Sequence, residues 1–279
     1  MISCEEEGQI EAQRRIAACK DARLDVLDLT GLRLSTVPTE ILQLGWLRSL
    51  KLGIDRNAPF DSRDYKGWAR NTLTSLPPEL PSTLPQLQFL DLSSNSLGEA
   101  GTKSLKEFNS LIGLDISDND IGDGGVRNLV QLGNLTTLIL RSNGIRPSGA
   151  HELNRLKNLT KLILCSNDIG DEGASSISGL TNLSTLYLSG IRMGDAGAQA
   201  ISTLQKLTHL ELVDNQIGAE GAKGISRLTN LKQLGIEQNR IDNTGAEALA
   251  ACESLVDLSV YGNQIGVGAQ SLARVSHHG

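Results

Sequence analysis

The chain has 279 residues, with 26 basic and 32 acidic side chains and a formal charge of -6. This acidic balance argues against nucleic acid, which selects a basic stripe. No apolar run approaches the roughly 18 residues that span a bilayer, and Met1 to Glu7 lacks the basic segment and apolar core of a secretory signal.

Near the N-terminus, Ala12, Ile16 and Cys19 fall at i, i+4 and i+7, which predicts a helix over residues 5–20 with one apolar face. Two leucine-rich stretches follow, Leu24-Asp-Val-Leu27-Asp-Leu29 running to Val37-Pro38, and Asn71-Thr-Leu73-Thr-Ser-Leu76-Pro77. Between Ile54 and Asn71 lie sixteen extra residues, Asp55 to Arg70, which hold Phe60, Tyr65 and Trp68. Removing them leaves a unit of 24 residues.

From Leu87 the chain repeats itself. Copies start at Leu87, Leu111, Leu135, Leu159, Leu183, Leu207, Leu231 and Leu255, each 24 residues after the last. A fixed period in this range marks a solenoid. Within each copy the fourth and sixth positions are Leu, Ile or Val, which predicts a short strand with those side chains inward and the third, fifth and seventh outward. The ninth position is a ladder of Asn95, Asn119, Asn143, Asn167, Asn215, Asn239 and Asn263. A turn leaving a strand exposes peptide groups to the interior, and Asn can both donate to and accept from them. Ile191 breaks this ladder and predicts a locally altered turn. Paired glycines such as Gly170 and Gly173 supply tight turns and close packing, not a phosphate loop, because no G-x-x-x-x-G-K-[ST] occurs. After them, Ala174, Ile177 and Leu180 predict one buried face of a short helix.

The form L-x-x-L-x-L-x-x-N-x-I/L resembles the leucine-rich repeat. The segment Asn-x-Ile-Gly-x-x-Gly-Ala, seen at Asn167 and Asn215, is similar to the ribonuclease-inhibitor type and, with its period of 24, to the "GALA" type of bacterial effectors. The two Leu-Pro units resemble bacterial leucine-rich repeats, including those that precede Roc-type GTPase domains. The resemblance implies an α/β solenoid, a horseshoe with parallel concave strands and short convex helices. It implies ten repeats over residues 24–279, with the insertion at 55–70 and residues 1–23 as an N-terminal helical cap. Extracellular members of the family commonly carry cysteine-rich end caps. Cys4, Cys19, Cys165 and Cys252 show no such pattern, so the expected location is cytoplasmic, or inside a host cell reached without a Sec signal.

Such a chain builds a surface, and the expected function is non-catalytic recognition of a protein partner on the concave face. The fifth and seventh positions place Ile139, Ile163 and Tyr187 side by side, with Arg141, Cys165 and Val213 near and His209 and Glu211 beyond. An exposed apolar patch of this kind marks an interaction site. Asp91, Asp115 and Asp118 flank it on one side, and Glu211, Asp214 and Glu237 on the other. Tyr65 and Trp68 of the insertion are expected to form a lip beside this face. The four histidines, His151, His209, His277 and His278, have no accompanying nucleophile or metal set, so no enzyme activity, metal or cofactor is expected. The final unit ends at Val275-Ser-His-His-Gly279 without a polar cap, which leaves room for self-association there or for a longer chain. A recognition domain of a larger bacterial signalling protein and a regulator of a small GTPase are the alternative functions.

Overall fold

The structure, a computed structural model, describes residues 3–54 and 70–266. Tyr65 and Trp68 of the insertion, and the final turn considered for self-association, lie outside the described residues. The chain forms two compact units, Met1–Ile139 and Leu140–Gly279. Among the described residues no helix is long and apolar enough to cross a membrane.

The first unit opens with helix α1, Cys4–Asp21. Ser3 and Glu6 close a reciprocal capping box at its start, which satisfies two backbone donors that helix geometry leaves open. Its apolar face is the predicted one, with Ala12, Ile16 and Cys19 at most 3% exposed. Strands β1 (Val26–Asp28), β2 (Ser49–Lys51), β3 (Phe89–Asp91), β4 (Gly113–Asp115) and β5 (Thr137–Ile139) follow and pair in chain order, all parallel. The Leu-Pro units return by short turns of helix, a 3-10 stretch at Thr39–Gln43 and α2 at Leu80–Thr83. Proline lacks the N–H that a longer helix would need. Later repeats have room for more. Helix α3 (Gly98–Gly101) runs into a 3-10 stretch at Thr102–Glu107, and α4 spans Gly122–Leu129.

The second unit is more regular. Strands β6 (Lys161–Ile163), β7 (Thr185–Tyr187), β8 (His209–Glu211), β9 (Gln233–Gly235) and β10 (Asp257–Ser259) belong to one parallel layer. Helices α5 (Pro147–Leu153), α6 (Gly170–Ile177), α7 (Asp195–Ile201), α8 (Ala219–Ile225) and α9 (Asn243–Ala250) form the other. Between the layers the core is Leu and Ile at repeated positions. Leu162, Leu186, Leu164, Leu188, Ile177 and Ile201 are all fully buried. Leu180, predicted on the helix face, lies past the end of α6 and fills the core from the following turn, where its N–H bonds the Ile177 carbonyl. Each unit is therefore a stretch of α/β solenoid.

Asparagine holds the turns as expected. Asn167 is 5% exposed. Its Oδ1 accepts the Asn143 and Ile145 N–H groups at 3.1 and 3.0 Å, and its Nδ2 donates to the Leu140 and Leu164 carbonyls at 2.9 and 2.8 Å. Asn215 and Asn239 repeat this pattern. The ladder also has a member the repeat pattern concealed. Asn71, fully buried, accepts the Leu34 N–H and donates to the Leu29 and Leu52 carbonyls. The insertion separates it from its strand, so spacing alone did not reveal it. At Ile191 the expected altered turn does not appear in the backbone. Arg192 adopts a left-handed φ of 62°, as Asp120 does after Asn119 at 52°, and the Ile191 carbonyl accepts the Gly170 N–H at 3.0 Å, as that of Asn119 accepts the Gly98 N–H at 2.9 Å; what the position lacks is the side-chain amide.

The paired glycines do two jobs. Gly170 has φ +55°, which L-residues rarely adopt. At Gly194 and Gly218 the backbone is extended instead, and the preceding repeat's Asp171 and Asp195 accept the N–H groups at the helix start. A carboxylate suits that end because of the helix dipole.

Candidate protein-binding face

The strand layer of each unit presents three outward rows, from the third, fifth and seventh repeat positions. Pairing register sets them, because in-register parallel strands align like positions. In the first unit the fifth-position row runs Asp28, Lys51, Asp91, Asp115, Ile139. Its carboxylates serve the fold. Asp28 Oδ1 accepts from the Thr30 N–H and Oγ1 at 3.0 and 2.7 Å, Asp91 from the Ser93 N–H at 2.8 Å, and Asp115 from the Ser117 N–H and Oγ at 3.0 and 2.7 Å. Burial pushes the Asp28 carboxyl up, but the Thr30 bonds and Lys51, 3.4 Å away, outweigh it and hold the group below its ordinary value. The third-position row carries Phe89, 50% exposed, whose ring lies over Gly113. Phe89, Gly113, Thr137 and Ile139 line a shallow depression of about 190 Å3.

In the second unit the fifth-position row includes Ile163, Tyr187, Glu211, Gly235 and Ser259. The third-position row includes Lys161, Thr185, His209, Gln233 and Asp257. Tyr187, His209, Glu211 and Val213, all half-buried, line one open hollow with Gly235 and Glu237. His209 makes no hydrogen bond to Glu211. Its Nδ1 lies 2.8 Å from Thr208 Oγ1.

The expected exposed apolar patch is corrected in one respect. Ile163 and Cys165 sit on the strand layer but are only 9% and 1% exposed. Neighbouring strands lie about 4.8 Å apart, so a larger side chain on the next turn covers a smaller one. Tyr187 adjoins Ile163, and Ser189 and Arg141 crowd Cys165. Burial pushes the Cys165 thiol up, against the pull of Ser189 and Arg141. The accessible apolar side chains at outward positions include Tyr187, Val213 and the more exposed Tyr261 in the second unit, and Val26, Phe89 and Ile139 in the first. Arg141 is exposed in the second unit. Phe89 occupies the third position, outside the fifth- and seventh-position rows that carry the expected apolar patch. Among the described residues no three His, Cys, Asp or Glu side chains are grouped to hold a metal ion.

Comparison with known proteins agrees with the architecture. Leucine-rich repeat family models match residues 86–111, 109–130, 133–153, 157–217 and 227–250, more than half of the chain. No curated protein sequence matches. An internalin from Listeria monocytogenes is similar in structure over 99% of this chain and 93% of its own, at 18% identity and a TM-score of 0.59. The ectodomain of the Arabidopsis receptor kinase HAESA, solved with a peptide hormone ligand, is similar over 95% of this chain at 22% identity and a TM-score of 0.62. A plant peptide hormone receptor solved with its peptide is similar over 82% of this chain at 23% identity and a TM-score of 0.52. The chain spans 50% and 38% of the length of those two plant proteins. The repeat period, the asparagine ladder with its bonds and the family matches agree that this chain is a leucine-rich repeat protein.

Proposed function

We propose that this protein is a recognition scaffold that holds a protein or peptide partner against its strand face without catalysing a reaction. One observation carries the proposal. Core, ladder and helix-cap positions repeat from unit to unit because the fold needs them, whereas the outward strand positions bear partly exposed Phe89, Ile139, Tyr187 and Val213 among carboxylates. Folding gains nothing from leaving these apolar groups open to water, and a partner would bury them. Aromatic anchors in a part-buried setting are the side chains that dominate binding energies. The plant receptors of similar fold were solved with peptide hormone ligands, which supports a peptide occupant here. The GALA-like branch and a bacterial source remain proposals that rest on the 24-residue period and the Gly-Ala pair.

The test is capture with the immobilised full chain, identification of the partner, and titration of variants. Tyr187→Ala and Val213→Asp, both on the second unit, should each weaken binding by about 2 kcal/mol, roughly thirtyfold, without loss of fold. Ser176→Asp on the exposed side of α6 should have no effect. Full affinity in both strand-face variants, with loss in Ser176→Asp, would place the partner on the helices.

A further inference from the structure

We infer that the hollow over Gly235, on the strand face of the second unit, is a binding site for an arginine side chain of the partner. The inference rests on the strand face being the recognition surface.

Register builds the hollow. Glu211, Gly235 and Ser259 are neighbours across β8, β9 and β10, and Glu237 follows two residues after Gly235, just past the end of β9. Because Gly235 has no side chain, an opening of about 230 Å3 is left between its neighbours. A Cβ placed on Gly235 would lie 3.1 Å from Glu237 Oε2 and 3.4 Å from Glu211 Cγ, so both acidic side chains lean over the gap. Asp257 lies on the far wall, and Tyr187 stands beyond Glu211.

The hollow asks for a cation. Glu237 Oε2 is buried and accepts no hydrogen bond from any described residue. Such an oxygen has given up water without gaining a donor, which is costly; Glu237 as a whole is only half-buried, so a turn of its side chain into the hollow brings that oxygen to a ligand's donor. Glu211 accepts a long bond of 3.4 Å from Ser189 Oγ. Among the described residues no Lys or Arg pairs with Glu211, Glu237 or Asp257, although Glu11, Asp28, Asp168 and Glu220 all have such partners. The acids are not grouped for a metal ion. They approach from two directions, Glu211 across the sheet and Glu237 along the chain. A guanidinium carries donors on two edges of one plane, so it can bond both carboxylates while lying flat over the Gly235 backbone.

The probe is the peptide acetyl-Gly-Arg-Gly-amide, with its citrulline analogue as a neutral probe of the same shape. Both are titrated into the 15N-labelled full chain. The amide signals of Gly235 and Glu237 should shift saturably with the arginine peptide, and the citrulline peptide should bind at least tenfold more weakly. Gly235→Val should abolish the response by filling the hollow. Glu237→Gln, which keeps the shape, should weaken it about tenfold and preserves the test if Gly235→Val misfolds. Equal binding of the two peptides, or no shift at Gly235, overturns the inference. The two proposals separate cleanly. A captured partner lost in Tyr187→Ala beside a silent arginine titration leaves the strand face standing and removes the hollow. Saturation at Gly235 beside a captured partner indifferent to both Tyr187→Ala and Glu237→Gln removes the strand-face reading and, with it, the hollow's role in holding that partner.

Discussion

Removing one rung of the asparagine ladder should cost more than a typical hydrogen bond, and the structure says why. Asn167→Ala leaves the Asn143 and Ile145 N–H groups without their acceptor, and the Leu140 and Leu164 carbonyls without one donor each. All of this occurs where the side chain is 5% exposed, so bulk water does not substitute freely. A buried donor left unsatisfied costs about 1–3 kcal/mol. Two such donors would sum to about 2–6 kcal/mol, and partial collapse or an entering water lowers that, so about 3 kcal/mol is expected. For a chain of this size that is a fall in Tm of roughly 6–12 °C. Denaturant unfolding followed by circular dichroism should show a lower midpoint with an unchanged slope. Asn167→Asp sharpens the test. It keeps both acceptor contacts but turns the amide donor into an oxygen facing carbonyls, so it should be worse than Ala. A parental melt in Asn167→Ala, or an Asn167→Asp variant more stable than Asn167→Ala, would refute the account of the ladder as a two-way backbone bridge.

Two further outcomes follow from the same physics. Ile191→Asn should raise stability by about 1 kcal/mol, because it offers Ile169 the acceptor that Asn167 and Asn215 give Ile145 and Met193; slower hydrogen exchange of the Ile169 amide would confirm it, and a lower Tm would contradict it. Side-chain bonds from Arg14 and Arg15, at 2.7 and 2.8 Å, lower the Glu11 carboxyl from 4.5 to about 2. A depressed carboxyl stabilises the fold above its unfolded value and loses that contribution as pH falls through its folded one. Arg15 also bonds the Asp28 carbonyl at 3.0 Å, tying α1 to β1. Protection of the α1 amides against exchange, relative to the intrinsic rate at each pH, should therefore fall between pH 4.5 and 2, and Glu11→Gln should flatten that dependence; an unchanged profile in the variant would show that Glu11 does not hold the helix.

Local chemistry made much of this protein legible in its sequence. The period of 24 determined where strands begin, because Leu at the fourth and sixth positions can be buried only if each copy enters the core the same way. The ninth position demanded Asn because a turn's peptide groups need a partner that donates and accepts. Ile191, which lacks both functions, led to the expectation of an altered turn, yet the neighbouring repeats hold its backbone in the regular path. The face of α1 followed from helical spacing alone. Tertiary structure decided what depends on neighbours in space. Asn71 belongs to the ladder, yet the inserted residues hid its register until its bonds to Leu34, Leu29 and Leu52 were seen. Ile163 and Cys165 point to the expected side but are covered, since exposure is set by the size of side chains on adjacent strands and not by direction. Gly235 reads in one dimension as a gap in a row. Only pairing with β8 and β10 turns that gap into a hollow walled by Glu211 and Glu237, because the depth of a surface is made by side chains that lie far apart in the chain.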